Sequence, residues 1–99
     1  MNRNYELVVI LDPELEVEGQ EKLLEKIKQL VTEPEGEVAE IKKWGKKELA
    51  YPILKKRAGF FVEIKLSVPR EAISSLKQKL QLEKKILRYL LVVEERRPA

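Results

Sequence analysis

The chain has 99 residues, of which 20 are Lys or Arg and 17 Asp or Glu, giving a net charge of +3; this is one domain's length, enough to bury roughly two-thirds of the surface its unfolded form exposes. It contains no cysteine and no histidine, which excludes disulfides, thiolate or imidazole metal sites and every nucleophile that relies on a histidine base. No apolar run approaches the roughly 20 residues of a membrane span, and the opening MNRNYEL has no apolar signal core, so a soluble cytoplasmic protein without cofactor or metal is expected.

The charge is unevenly spread. Residues 1–40 carry four cations against ten glutamates and Asp12, a net −7, whereas residues 41–99 carry sixteen cations against six glutamates, a net +10. If the basic half gathers on one face, the acidic helix turns away from it and the footprint is that of a polyanion binder.

In chain order, Tyr5 to Leu11 is a β-branched apolar run stopped by Asp12-Pro13, and is predicted to be a central strand. From Val17 to Thr32, Leu23, Leu24, Ile27, Leu30 and Val31 recur at three- and four-residue steps among Glu18, Glu21, Glu25, Lys22 and Lys26. This is the pattern of an amphipathic helix with a solvated charged face, ended by Glu33-Pro34-Glu35-Gly36. Val38 to Trp44 alternates imperfectly and is predicted as a second strand; Pro52 further on places that strand at the sheet's rim.

Lys55 to Gly59 is predicted as a connection and Phe60 to Ser67 as a third strand. Phe60, Val62, Ile64 and Leu66 form its core face, with Phe61, Glu63 and Lys65 opposite. Pro69 suits the first turn of a second helix striped by Ala72, Ile73, Leu76 and Leu80, and Ile86 to Val93 is a fourth strand before a short polar tail, 94–99. The order β-α-β-β-α-β predicts an α+β fold of the ferredoxin-like kind, a four-stranded antiparallel sheet with two helices on one face and the other face free, in a single domain spanning 1–99.

Trp44 to Ile64 stands out within this frame. Basic clusters at Lys46-Lys47 and Lys55-Lys56-Arg57 flank the apolar segment Leu49-Ala50-Tyr51-Pro52-Ile53. A cation, apolar, cation order suits a contact surface, although lysines along an edge strand also keep other chains from pairing there. Paired carboxylates in a polar pocket and phosphate-loop glycines are missing from the pattern, so neither an enzyme nor a ligand-sensing regulator is expected.

Tyr5-Glu6, Asp12-Pro13, Trp44-Gly45-Lys46-Lys47 leading into Leu49-Ala50-Tyr51-Pro52-Ile53, Gly59-Phe60-Phe61 and Ile86-Leu87-Arg88-Tyr89 together span nearly the whole chain. In these the sequence resembles the bacterial small-subunit ribosomal protein S6 family. The resemblance implies a ferredoxin-like structural protein of the small ribosomal subunit. It also implies binding to the central domain of small-subunit ribosomal RNA together with ribosomal protein S18, and a monomer outside the ribosome.

Candidate RNA contacts are Lys46, Lys47, Lys55, Lys56 and Arg57, with Arg3 and Arg88 as further cations that adjacent strands would bring together. Candidate contacts to the partner protein are Trp44, Tyr51, Phe61, Arg96 and Arg97. Trp44 is expected to pack over the core's rim, and Phe61 to join the outward residues of the first strand in an apolar patch on the open face. A second reading is a single-stranded RNA-recognition module, because Arg57, Phe61 and Val62 echo that fold's third-strand signature. With Phe60 turned inward, however, only Phe61 is left to stack on a base.

Overall fold

The structure, a computed structural model, describes residues 2–53 and 55–94. β1 (Asn2–Leu11) is followed by α1 (Val17–Thr32), β2 (Glu37–Ile53), β3 (Lys56–Pro69), a 3-10 turn (Arg70–Ala72), α2 (Ile73–Leu82) and β4 (Ile86–Val93). The strands form one antiparallel sheet in the order β2-β3-β1-β4. This is the ferredoxin-like arrangement expected from the element order.

β1 sits inside the sheet because it can pair on both sides and bury one face completely. Its Tyr5, Leu7, Val9 and Leu11 alternate toward the helices and are all buried, with β3 supplying Val62, Ile64, Leu66 and Val68 beside them. Leu23, Leu24, Ile27 and Val31 of α1, Leu76 and Leu80 of α2 and Ile86 of β4 close the same core. A fully buried aliphatic side chain contributes about 1.5–3 kcal/mol relative to an exposed one, so this single layer holds both helices on one side. The loop after β1 is set by Asp12, whose side chain accepts a hydrogen bond from the Glu14 backbone N–H at 2.9 Å.

Helix α1 ends in a Schellman turn. The Gly36 N–H donates to the Val31 carbonyl at 3.1 Å and the Glu35 N–H to the Thr32 carbonyl at 3.0 Å, with Glu35 in the left-handed region at φ 63. Gly36 is needed for closeness, not for φ: a Cβ there would lie 2.3 Å from the Val31 carbonyl oxygen and 2.5 Å from Cγ1 of Val68.

Several boundaries differ from the sequence expectation; β1, for one, begins at Asn2 and not at Tyr5. β2 runs on through Gly45 and Pro52 to Ile53, and β3 starts at Lys56, so residues expected to connect the strands are themselves paired. Register shifts between Val38 and Glu40, Lys43 and Gly45, and Glu48 and Ile53 absorb extra residues on β2; such bulges are why its alternation looks broken in the sequence. Pro69 is the last residue of β3, opposite Asn2, with an extended ψ of 142, and the helical turn begins after it. Phe60, expected in the core, is only half-buried, because it faces Leu11, the final residue of β1, and the sheet narrows there.

Gly36→Ala forces either the helix end or β3 to shift. Its expected cost is about 1–3 kcal/mol, read as a lower urea midpoint with an unchanged m-value; an unchanged midpoint would show that the turn relaxes freely.

Candidate functional site

β1 ends opposite Phe60, so the β2–β3 hairpin continues past it for the four residues 56–59 of β3, an overhang of about 13 Å. Ile53 pairs with Lys56, and Lys55, just before it, takes φ 67. Gly45 occupies the bulge opposite Phe61 at φ 84, a conformation that glycine adopts without strain. Between Glu48 and Ile53 the bulge pushes Tyr51 outward to 81% exposure, with Pro52 also exposed. Arg57 lines a shallow concavity with Glu48, Leu49, Ala50, Pro52 and Ala58.

The hairpin gathers Lys46, Lys47, Lys55 and Arg57, all exposed, and none has a carboxylate oxygen within 4.0 Å among the described residues. Lys56 differs from them: it is part-buried, its Nζ lying 3.1 Å from Glu14 and 3.9 Å from Asp12. Its charge is already answered by the loop after β1. Lys43, on the helix side of β2, is similarly tied to Glu21 of α1, and the Glu21 carboxyl is held below its usual range by the hydrogen bond and charge of that lysine.

Among the described residues nothing covers the sheet face opposite the helices. Its rows, read across β4, β1, β3 and β2, are Arg88–Ile10–Phe61–Gly45, Leu90–Val8–Glu63–Lys42 and Val92–Glu6–Lys65–Glu40. Phe61 therefore joins Val8, Ile10, Leu90 and Val92 in the expected apolar patch. Leu90 is 60% and Val92 43% exposed. Since Glu63 and Lys65 follow Phe61 on this side, β3 presents one aromatic to it.

Gly59 belongs to the same face. A Cβ there would meet Cγ2 of Ile10 at 2.4 Å, so the glycine lets hairpin and β1 approach.

Trp44 is 53% exposed and stands clear of the core's rim, contrary to expectation. The bulge at Gly45 turns it toward the open face, where its indole N–H donates to Glu63 at 3.3 Å and the Lys47 ammonium lies 5.2 Å from its ring centroid. Arg3 and Arg88 are not brought together. Arg3 lies opposite Val68 and Arg88 opposite Ile10, at the two ends of β1, about 23 Å apart along the strand. Arg88 shares the hairpin's end; Arg3 does not. Arg96 and Arg97 lie outside the described residues.

Sequence reasoning missed the carboxylate pair Glu6 and Glu63, diagonal neighbours on the open face. A hydrogen bond shared with Glu63, then desolvation and the charges of Glu63 and Glu94, push the Glu6 carboxyl up. The same shared bond pulls Glu63 down, aided by the Trp44 N–H, Lys42 and Lys65. Only the strand register juxtaposes them, so no local sequence signal could have revealed it.

Among the described residues no polar or charged side chain is buried, no group of acids is placed to hold a metal, and no helix is long and apolar enough to cross a membrane. An overhanging basic hairpin beside an uncovered, partly apolar sheet face defines a macromolecule-docking protein. The family model described as ribosomal protein S6 matches residues 4–93. Small ribosomal subunit protein bS6 of Fusobacterium nucleatum is 32% identical over 93 residues, covering 94% of this chain and 99% of its own length. That of Moorella thermoacetica is 35% identical over 89 residues (90% and 91%), and that of Carboxydothermus hydrogenoformans 33% over 96 (97% and 100%). The crystal structure of 30S ribosomal protein S6 from Thermotoga maritima superposes with a TM-score of 0.88 at 23% identity, over 95% of this chain and 89% of that one.

The chain belongs to the ribosomal protein S6 family. It is a non-enzymatic constituent of the small ribosomal subunit, in the cytoplasmic ribosome.

The carboxylate pair makes a pH-dependent contribution to stability. Glu6 titrates higher folded than unfolded, so its ionisation costs the folded state stability as pH rises through the carboxylate range; Glu63, held low, acts in the opposite sense. Glu6→Gln keeps a hydrogen-bonding group without the second charge. It is expected to melt above wild type at pH 7, with the difference closing as pH falls and the raised Glu6 carboxyl takes up its proton ahead of Glu63; equal melting temperatures at pH 7 would show the two carboxyls to be uncoupled.

Proposed function

We propose that the protein binds the central domain of small-subunit ribosomal RNA together with ribosomal protein S18, the hairpin meeting RNA and the open sheet face meeting the protein. The observation that carries this reading is the set of four cations, Lys46, Lys47, Lys55 and Arg57, held along the hairpin without carboxylate partners among the described residues, the last three on the part that runs past the end of β1. Unpaired cations release counterions when they meet phosphate, whereas Lys56 would first have to leave Asp12 and Glu14. Arg88, at the hairpin's end of the open face, extends the basic surface toward β4.

The protein partner is assigned to the patch of Phe61, Val8, Ile10, Leu90 and Val92, because an apolar sheet surface without a helix over it is costly to leave in water. Trp44 and Tyr51 border both regions and anchor their junction. One hairpin offers limited area, so RNA affinity depends on the partner's presence. Outside the particle the protein is a monomer.

Replacing Lys46, Lys47, Lys55 and Arg57 by alanine is expected to leave thermal unfolding nearly unchanged while reducing RNA affinity. The slope of log K against log salt should become shallower by about 3 if all four meet phosphate, and Lys56→Ala should change it little. Binding to a central-domain RNA fragment, measured from low to moderate salt with and without S18, provides the test. An unaltered slope removes the hairpin from the interface, and equal affinity with and without S18 removes the shared site.

A further inference from the structure

The two edges of the sheet are built differently. β2 presents Lys42, Lys43, Lys46 and Lys47, Pro52 and three register shifts, all of which discourage another strand from adding to it. β4 has none of these protections. Of its eight residues Arg88 alone is charged, there is no lysine or proline, and its one irregularity lies at its beginning, opposite Ile10 and Leu11.

The phase of β4's hydrogen bonding follows from one contact. The Glu94 N–H donates to the Asn4 carbonyl at 2.9 Å, so Val92, Leu90 and Arg88 bond inward to Glu6, Val8 and Ile10, and Tyr89, Leu91 and Val93 turn their N–H and C=O groups outward. Those groups have no backbone partner among the described residues.

Apolar surface lies on both sides of this bare edge. Leu90 and Val92 continue the open-face patch, and Val93 is 46% exposed. On the helix side lies Val93, opposite the core residue Tyr5, and the end of α2 approaches β4 through the Gln81 amide, which donates to the Tyr89 hydroxyl at 3.2 Å. The far end of the edge is acidic, with Glu94 beside Val93 and close enough to act on Glu6, which in turn shares its hydrogen bond with Glu63.

We propose that an extended segment of the protein partner adds to β4 as a fifth strand, carrying apolar side chains at alternate positions and a cation near Val93. This rests on the reading above that a protein covers the open face, and adds the backbone edge to that interface. Nucleic acid suits this edge poorly, since Arg88 is the only cation among its described residues and Glu94, Glu6 and Glu63 lie toward its end. An incoming strand satisfies the outward amides, covers Leu90 and Val92 on one side and Val93 on the other, and brings its positive charge to Glu6 and Glu94.

Amide hydrogen exchange on the full chain, free and saturated with S18, tests the proposal. In the free protein the amides of Tyr89, Leu91 and Val93 are expected to exchange fast and those of Leu90 and Val92 slowly; in the complex the first three should slow by at least about tenfold. Leu90→Lys with Val93→Lys, both at exposed positions, should weaken S18 binding without altering the salt slope for RNA. If the double variant fails to fold, the wild-type exchange pattern decides. Binding of S18 that leaves the three amides fast overturns the strand addition but not the partner assignment, whereas no binding of S18 at all defeats that assignment itself. Protection that appears without S18 as protein concentration rises would assign the edge to a second copy of this chain, and would equally overturn the proposal.

Discussion

The burial of one face of β1 is the contact on which the other elements depend. Tyr5, Leu7, Val9 and Leu11 lie between the core faces of β3 and β4 and beneath α1 and α2. Because both helices are drawn to this face, none of the described residues covers the other one. The uncovered surface is thus a direct outcome of where the hydrophobic side chains alternate. A strand paired on both sides also fixes two registers at once, and these bring Arg88, Ile10, Phe61 and Gly45 into one row although they are far apart in sequence.

Ion pairing sorts the lysines. Acids of the first half of the chain, Asp12, Glu14 and Glu21, answer Lys56, beside the hairpin's turn, and Lys43, toward its base, where these pass the first loop and helix. Exposed pairs of this kind contribute little stability, typically under about 1 kcal/mol. Their main consequence is selective: charge is neutralised where a lysine meets an acid of the first half of the chain, and is left unbalanced at Lys46, Lys47, Lys55 and Arg57 among the described residues. The opposite polarity of the two halves of the sequence is therefore partly cancelled at their junction, and persists where the strands leave the sheet.

Much of the architecture was legible in the sequence, since period-two and period-3.6 patterns at β1, α1, β3 and β4 report directly on one-sided burial. The family resemblance was carried by local motifs, Leu-Ala-Tyr-Pro-Ile above all. What escaped depends on register. β2 looked short because bulges displace its alternation; Trp44 looked like a rim residue because the turn imposed by Gly45 has no period; Lys56 looked like its neighbours because the acids that hold it lie more than 40 positions away. Arg3 and Arg88 fall on adjacent strands, but adjacency does not fix the position along them. The carboxylate pair on the open face is hidden for the same reason.

The overhang of the hairpin has a further consequence. Residues 56–59 and their partners on β2 have only each other across the ladder and no third strand behind them. Side chains at the tip can therefore be exchanged with little effect on the cooperative unit beneath.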